Sequence, residues 1–281
     1  MSLGVHCVPV CLVHQSFSAI SAEDEGRRIM EEDWMRDSFF ENCRGTAGSA
    51  SPLKHAGFPQ KPGLLSAVGG AFMMLFLSLL IFVSAGTFHY FAGYLFLLLL
   101  FVPMTGTILF FLRKAPDRLM KRMTGREKQR EQRVAAAVLS LALPLVFILA
   151  GLDFRFGWSA LPGGLVFFSS LLFLFGFWLF AEAMWENAWI FRTVEVEAGQ
   201  KVVDRGLYAH IRHPLYLADL CLFLSAPLIL GSFWAFLLAS LICPPLLLGR
   251  SLAEERLLLQ ELPGYREYCK KVRYRLIPGI F

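Results

Sequence analysis

The chain alternates between long apolar blocks and short polar ones, and the block lengths are informative. Residues 64–86 (LLSAVGGAFMMLFLSLLIFVSAG) and 90–112 (YFAGYLFLLLLFVPMTGTILFFL) are two such blocks, with Pro103 predicting a kink in the second. Residues 134–152 and about 161–185 form a third and a fourth. Each approaches the ~20 residues that carry a helix across ~30 Å of hydrocarbon. Residues 215–248 are apolar for longer than one crossing requires, and GSFW at 231–234 interrupts them. That interruption, with a second at Pro244 and Pro245, predicts a helical hairpin, about 215–230 and 233–248, rather than one over-long helix. A separate amphipathic helix is expected over 250–262 (RSLAEERLLLQEL), with Leu252, Leu259 and Leu262 near one face and Pro263–Gly264 ending it. The expected fold class is all-α: a polytopic integral membrane helix bundle with four spans and a C-terminal helical hairpin.

Composition agrees with that reading. The 281 residues are 56% hydrophobic, with 27 phenylalanines, and mean hydropathy is +0.54, which is outside the range of an ordinary soluble domain. Charge then orients the bundle. Residues 113–133 hold nine Lys/Arg against three Asp/Glu, a difference of +6, so the positive-inside rule puts that loop in the cytoplasm. Two further crossings bring the 186–214 connector to the same side, and the hairpin does so for the tail after Arg250. The overall charge of +5 forms no basic stripe with interleaved aromatics, so no nucleic-acid partner is expected. Cys7 and Cys11 with His6 and His14 lack a second ligand pair, and no metal site is expected. Residues 1–60 are mixed and weakly periodic, without the basic n-region of a secretory signal. They read as a flexible tail, or as sequence ahead of a true start at Met30 or Met35. The domain division is therefore 1–60 tail, 61–185 four-span region, and 186–281 connector, helical hairpin and cytoplasmic tail.

One stretch stands out against the apolar background: LYAHIRHPLYLADL, residues 207–220. The residue before a proline avoids helical angles, so His213 is expected to be extended and Pro214 to open a helix. The free N–H groups of that helix end then face the polar cluster and favour an anion. The plain alternative makes Arg212, His213 and Tyr216 interfacial anchors. Beyond the hairpin, Arg250 and Glu254 stand four apart, on one helical face. A local ion pair explains their spacing. It does not explain why the hairpin returns them to the membrane side of His213.

GLYAHIRHPLY (206–216), an apolar hairpin, RSLAEE (250–255), GYREYCKKV (264–272) and a final Pro278 together resemble the isoprenylcysteine carboxyl methyltransferase family, grouped with phospholipid methyltransferases, in its bacterial form. The resemblance covers about residues 185–281. It implies an integral-membrane enzyme that uses S-adenosylmethionine, with the donor site facing the cytoplasm (the inner membrane in a bacterium) and a lipophilic methyl acceptor arriving from the membrane lipids. It also implies donor contacts at Gln200, Lys201, Val202 and Val203, a strand-like run before the turn, and at Tyr208, His213, Pro214, Leu215, Tyr216 and Glu254. Glu197 stands near a family glutamine but at a different spacing. Arg250 would orient the acceptor. Ala218 replaces a glycine common in the family. An isoprenylcysteine-like carboxylate, a phospholipid amine and a thiol all remain open as acceptors. A membrane sterol reductase using NADPH has a similar C-terminal layout, with Arg205 and Arg212 as candidates for a 2′-phosphate, and a non-enzymatic scaffold or transport subunit is a third reading.

Overall fold

The computed structural model describes residues 62–115, 130–187, 189, 200–277 and 279. The tail 1–60 with Cys7 and Cys11, most of the basic loop, Glu197 and Pro278 lie outside the described residues. Among those described, the chain forms seven α-helices and no sheet: α1 Pro62–Ala85, α2 Phe91–Lys114, α3 Arg130–Phe156, α4 Gly163–Glu186, α5 Pro214–Ile229, α6 Phe233–Glu261 and α7 Tyr265–Lys271. A 3₁₀ turn, Gly206–Ala209, precedes α5. Among the described residues, four helices are long and apolar enough to cross a membrane: α2, residues 134–156 of α3, α4 and α6. The described apolar part of α1, residues 69–85, and all of α5 are shorter. The chain is a multi-pass membrane protein. The expected first span is the 24-residue α1, and α6, expected as one arm of the hairpin, is by itself long and apolar enough to cross.

Lipid tails are as apolar as leucine, so close packing and internal hydrogen bonds associate these helices. At Gly151 of α3, an added Cβ would lie 2.8 Å from the Ile81 carbonyl oxygen and 2.9 Å from the Ala85 amide of α1, a separation only glycine permits. Phe96, Phe147 and Phe173 meet at the centre with ring centroids 5.3 and 5.7 Å apart, tying α2 to α3 and α4. α4 packs along α5, and α6 lies against α3 and α5.

The second arm of the hairpin departs from expectation. No break occurs at Pro244 and Pro245, and α6 runs on through residues expected to form a separate helix. Its buried positions explain this: Ala235, Ala239, Cys243, Leu247, Ser251 and Glu255 recur every four residues. That ridge is small enough to nest against the neighbouring helices, and its packing carries the helix through two residues that lack an N–H.

The helix ends sort into two layers. At one, Asp153 near the end of α3 is buried; its Oδ2 accepts hydrogen bonds from the hydroxyls of Ser159, at 2.7 Å, and Ser232, the N-cap of α6. The Tyr90 hydroxyl donates to the Leu230 carbonyl at the same end. The sequence reading ended the third span before Asp153. The helix continues past it because two hydroxyls solvate the carboxylate from inside the protein. The opposite layer gathers the C-terminal ends of α2, α4 and α6 with the N-terminal end of α5, and it holds the polar cluster.

Candidate functional site

Local backbone chemistry builds the site from its first residue. His213 is the N-cap of α5, with φ −127° and ψ 63°, and Pro214 occupies the first helical turn, as the X-Pro rule requires. The preceding segment is pinned by the end of the chain: Arg212 N–H donates to the Tyr274 carbonyl at 3.0 Å and His213 N–H to the Arg275 carbonyl at 2.9 Å. Ile211 and Tyr274 form an isolated parallel bridge. Leu276 fills the hydrophobic core beneath this strap.

The two halves of the hairpin meet here. The Tyr216 hydroxyl, in the first turn of α5, donates to Glu254 Oε2 of α6 at 2.8 Å, and Arg250 hydrogen-bonds the same phenol. Glu255 points elsewhere, since consecutive helical residues differ by about 100°. It is buried and pairs with Arg212 Nη1 and, at 2.7 Å, with Arg275 Nε. Arg212 Nη2 also donates to the Arg273 carbonyl at 2.9 Å. The two adjacent glutamates thus face different partners, Glu254 the Tyr216 phenol and Glu255 the guanidinium groups of Arg212 and Arg275. Arg212, His213 and Tyr216 are enclosed by protein, which removes the lipid-anchor reading for them.

Tyr208 is buried as well, and its carbonyl accepts from the Tyr268 hydroxyl at 2.7 Å. Burial raises the Tyr208 phenol, which also hydrogen-bonds Asn187 and feels the Glu254 charge. His213, 5% exposed, is pushed down to about 4, chiefly by burial, with Glu255 opposing and Arg212 and Arg275 adding to the shift. It is therefore neutral near pH 7. Its Nε2 is buried with no hydrogen-bond partner among the described residues, a group that a bound polar ligand would satisfy.

A second feature adjoins this cluster. Gln200, Lys201, Val202, Asp204, Pro263, Gly264, Glu267, Tyr268 and Lys271 line a cleft of about 490 Å³. Lys271 and Asp204 pair across it at 2.8 Å, and that ammonium lowers the Asp204 carboxyl. Residues 200–203 carry no regular secondary structure, so the expected strand-like run is a coil. Tyr268 bridges cleft and cluster, since it lines one and hydrogen-bonds the other.

The candidate residues therefore fall into two neighbouring groups. Tyr208, His213, Pro214, Tyr216, Arg250 and Glu254 converge at the helix ends, with Leu215 half-buried against the core. Gln200, Lys201 and Val202 line the cleft, and Val203 is half-buried beside them. Sequence reasoning passed over Glu255, Glu186 and Asn187 as site-building residues, because their partners are distant in the chain. It also passed over Asp219, one turn beyond Tyr216 and close enough to Cys243 for its charge to be felt there. An acidic residue in an apolar run was the available signal.

Residues 165–262 match the family model of phospholipid methyltransferases. The match begins inside α4, takes in the 3₁₀ turn and the whole hairpin, and stops at the end of α6. It starts earlier than the resemblance read from sequence and leaves α7 and the strap outside. Among curated proteins, the Delta(14)-sterol reductase TM7SF2 of Mus musculus is 33% identical over 92 residues, 32% of this chain. The aligned segment spans only 22% of that relative.

Proposed function

We propose, from a phospholipid methyltransferase family region set among several membrane helices, that the protein is a membrane methyltransferase using S-adenosylmethionine on a lipophilic acceptor. The observation that carries the reading is the Tyr216–Glu254 hydrogen bond. It joins the RHPxY segment before the hairpin to the RxxxEE segment after it. When bound, S-adenosylmethionine supplies an electrophilic methyl group on a sulfonium. The chain's residues suit its other parts. Glu254 offers a carboxylate to its cationic or hydroxyl groups. His213, neutral, offers a ring nitrogen, and the α5 N-terminus favours its carboxylate. Tyr208 and Tyr216 offer ring faces. Methyl transfer is an in-line displacement in which alignment supplies most of the acceleration, and a rigid, buried cluster suits that task. Arg250, one turn before Glu254, orients the acceptor. A carboxylate acceptor needs no base, whereas an amine or thiol must first lose a proton. The polar layer faces the cytoplasm in this reading, and residues 186–281 form the catalytic region.

The reductase reading draws on the similarity to the sterol reductase. Against it, one of the two arginines suggested for a 2′-phosphate is already committed: Arg212 serves Glu255 and the Arg273 carbonyl. Calorimetric titration of the detergent-purified chain with S-adenosylmethionine and with NADPH separates the readings. Binding of the first and not the second is expected, and the reverse overturns the proposal. Incubating membranes with methyl-labelled donor then identifies the acceptor by the molecule that takes up label.

A further inference from the structure

Glu186 sits where a carboxylate is disfavoured. It is the last residue of α4, and the carbonyl end of a helix repels negative charge. Glu182, one turn earlier, adds a like charge. The compensation comes from the turn ahead of α5: Glu186 Oε2 accepts the Leu207 N–H at 2.7 Å. Gly206, immediately before, has φ 56°, a left-handed conformation that favours glycine. A Cβ built on Gly206 would overlap the Glu186 carboxylate. The turn and the helix end therefore fit each other at two adjacent residues. Asn187 completes the junction by hydrogen-bonding the Tyr208 phenol. Tyr208 is thus held through its phenolic oxygen, through its carbonyl by Tyr268, and through the amide of the preceding residue, Leu207.

We infer that Glu186 is a positioning residue: its carboxylate seats the Gly206–Ala209 turn and so fixes the Tyr208 ring in the donor site. What Tyr208 touches rests on the methyltransferase reading, while the seating of the turn does not. Glu186 itself reacts with nothing. It acts on how well the site is formed before the donor arrives, so its loss weakens donor binding more than turnover at saturating donor.

The test uses the full chain in detergent with Glu186→Ala, Glu186→Gln, Gly206→Ala and the double Glu186→Ala/Gly206→Ala. Two readouts are taken: amide exchange over residues 205–211 and S-adenosylmethionine affinity. Glu186→Ala is expected to raise exchange at the Leu207 amide at least about tenfold and to weaken donor binding at least about fivefold. Glu186→Gln, whose amide oxygen still accepts, recovers most of both. The double variant loses less than the product of the singles, because removing the carboxylate removes the overlap with the new Cβ. Unchanged exchange in Glu186→Ala, or a glutamine variant as impaired as alanine, overturns the seating. Increased exchange with unchanged donor affinity overturns the positioning role and leaves the methyltransferase reading intact. Absence of S-adenosylmethionine binding in the unaltered protein overturns that reading instead, and the donor half of the inference with it.

Discussion

Adjacent glutamates on α6 give the sharpest prediction, because they face different partners. Glu255→Ala deletes the carboxylate that pairs with both Arg212 and Arg275. The Arg212 side chain is 9% exposed and that of Arg275 33%. Removing one partner of a buried ion pair typically costs about 3–5 kcal/mol, since the surviving charge loses its counter-charge. Water reaches Arg275 in part, so the low end, about 3 kcal/mol, applies. At about 2–4 °C per kcal/mol for a domain of this size, the melting temperature should fall by about 6–12 °C. Glu254→Ala, one residue away, should leave folding within about 1 kcal/mol, the scale of one lost hydrogen bond, but abolish donor binding. A thiol-reactive dye reports unfolding through Cys243, which is fully buried in the bundle. Substituting Arg212, Glu255 and Arg275 together by methionine should restore much of the loss, because no stranded charge remains. If Glu255→Ala melts within about 2 °C of the parent while Glu254→Ala is the destabilised variant, the assignment of structural and site carboxylates is wrong.

Three further outcomes follow. His213 has a folded-state value lowered to about 4, so between its ordinary value near 6.5 and about 4 the unfolded chain binds the extra proton and stability falls as pH drops; melting curves across that window should flatten in His213→Gln, and an equal slope in both proteins would count against a buried neutral histidine. Arg250→Lys should keep donor affinity near the parent's and lower methyl transfer at least about tenfold, because an ammonium cannot reproduce the planar guanidinium fork; equal turnover at matched donor occupancy removes Arg250 from the mechanism. Single cysteines at Gln260 and Ala160, introduced after replacing the six native cysteines, should label from the cytoplasmic and the outer side respectively, and the opposite pattern inverts the proposed orientation.

The membrane class, the helix content and the position of α5 were legible in the sequence because each rests on local rules. Apolar length marks a span, glycine between apolar runs marks a turn, and the His213–Pro214 pair marks a helix start wherever it occurs. The nearness of Arg250 and Glu254 to Tyr216 was inferable from connectivity alone, since a hairpin returns its two ends to one side. Other features depended on partners that local patterns do not name. Pro244 and Pro245 read as a break, and only the ridge of small residues against neighbouring helices carries α6 through them. Glu254 and Glu255 look alike in the sequence, and the rotation of α6 against Arg212, Arg275 and Tyr216 gives them different work. Glu186 reads as the last polar residue of a span until Gly206 folds back against it. Tertiary packing decided these points because the energy of a buried charge is set by what surrounds it, and those surroundings come from distant parts of the chain.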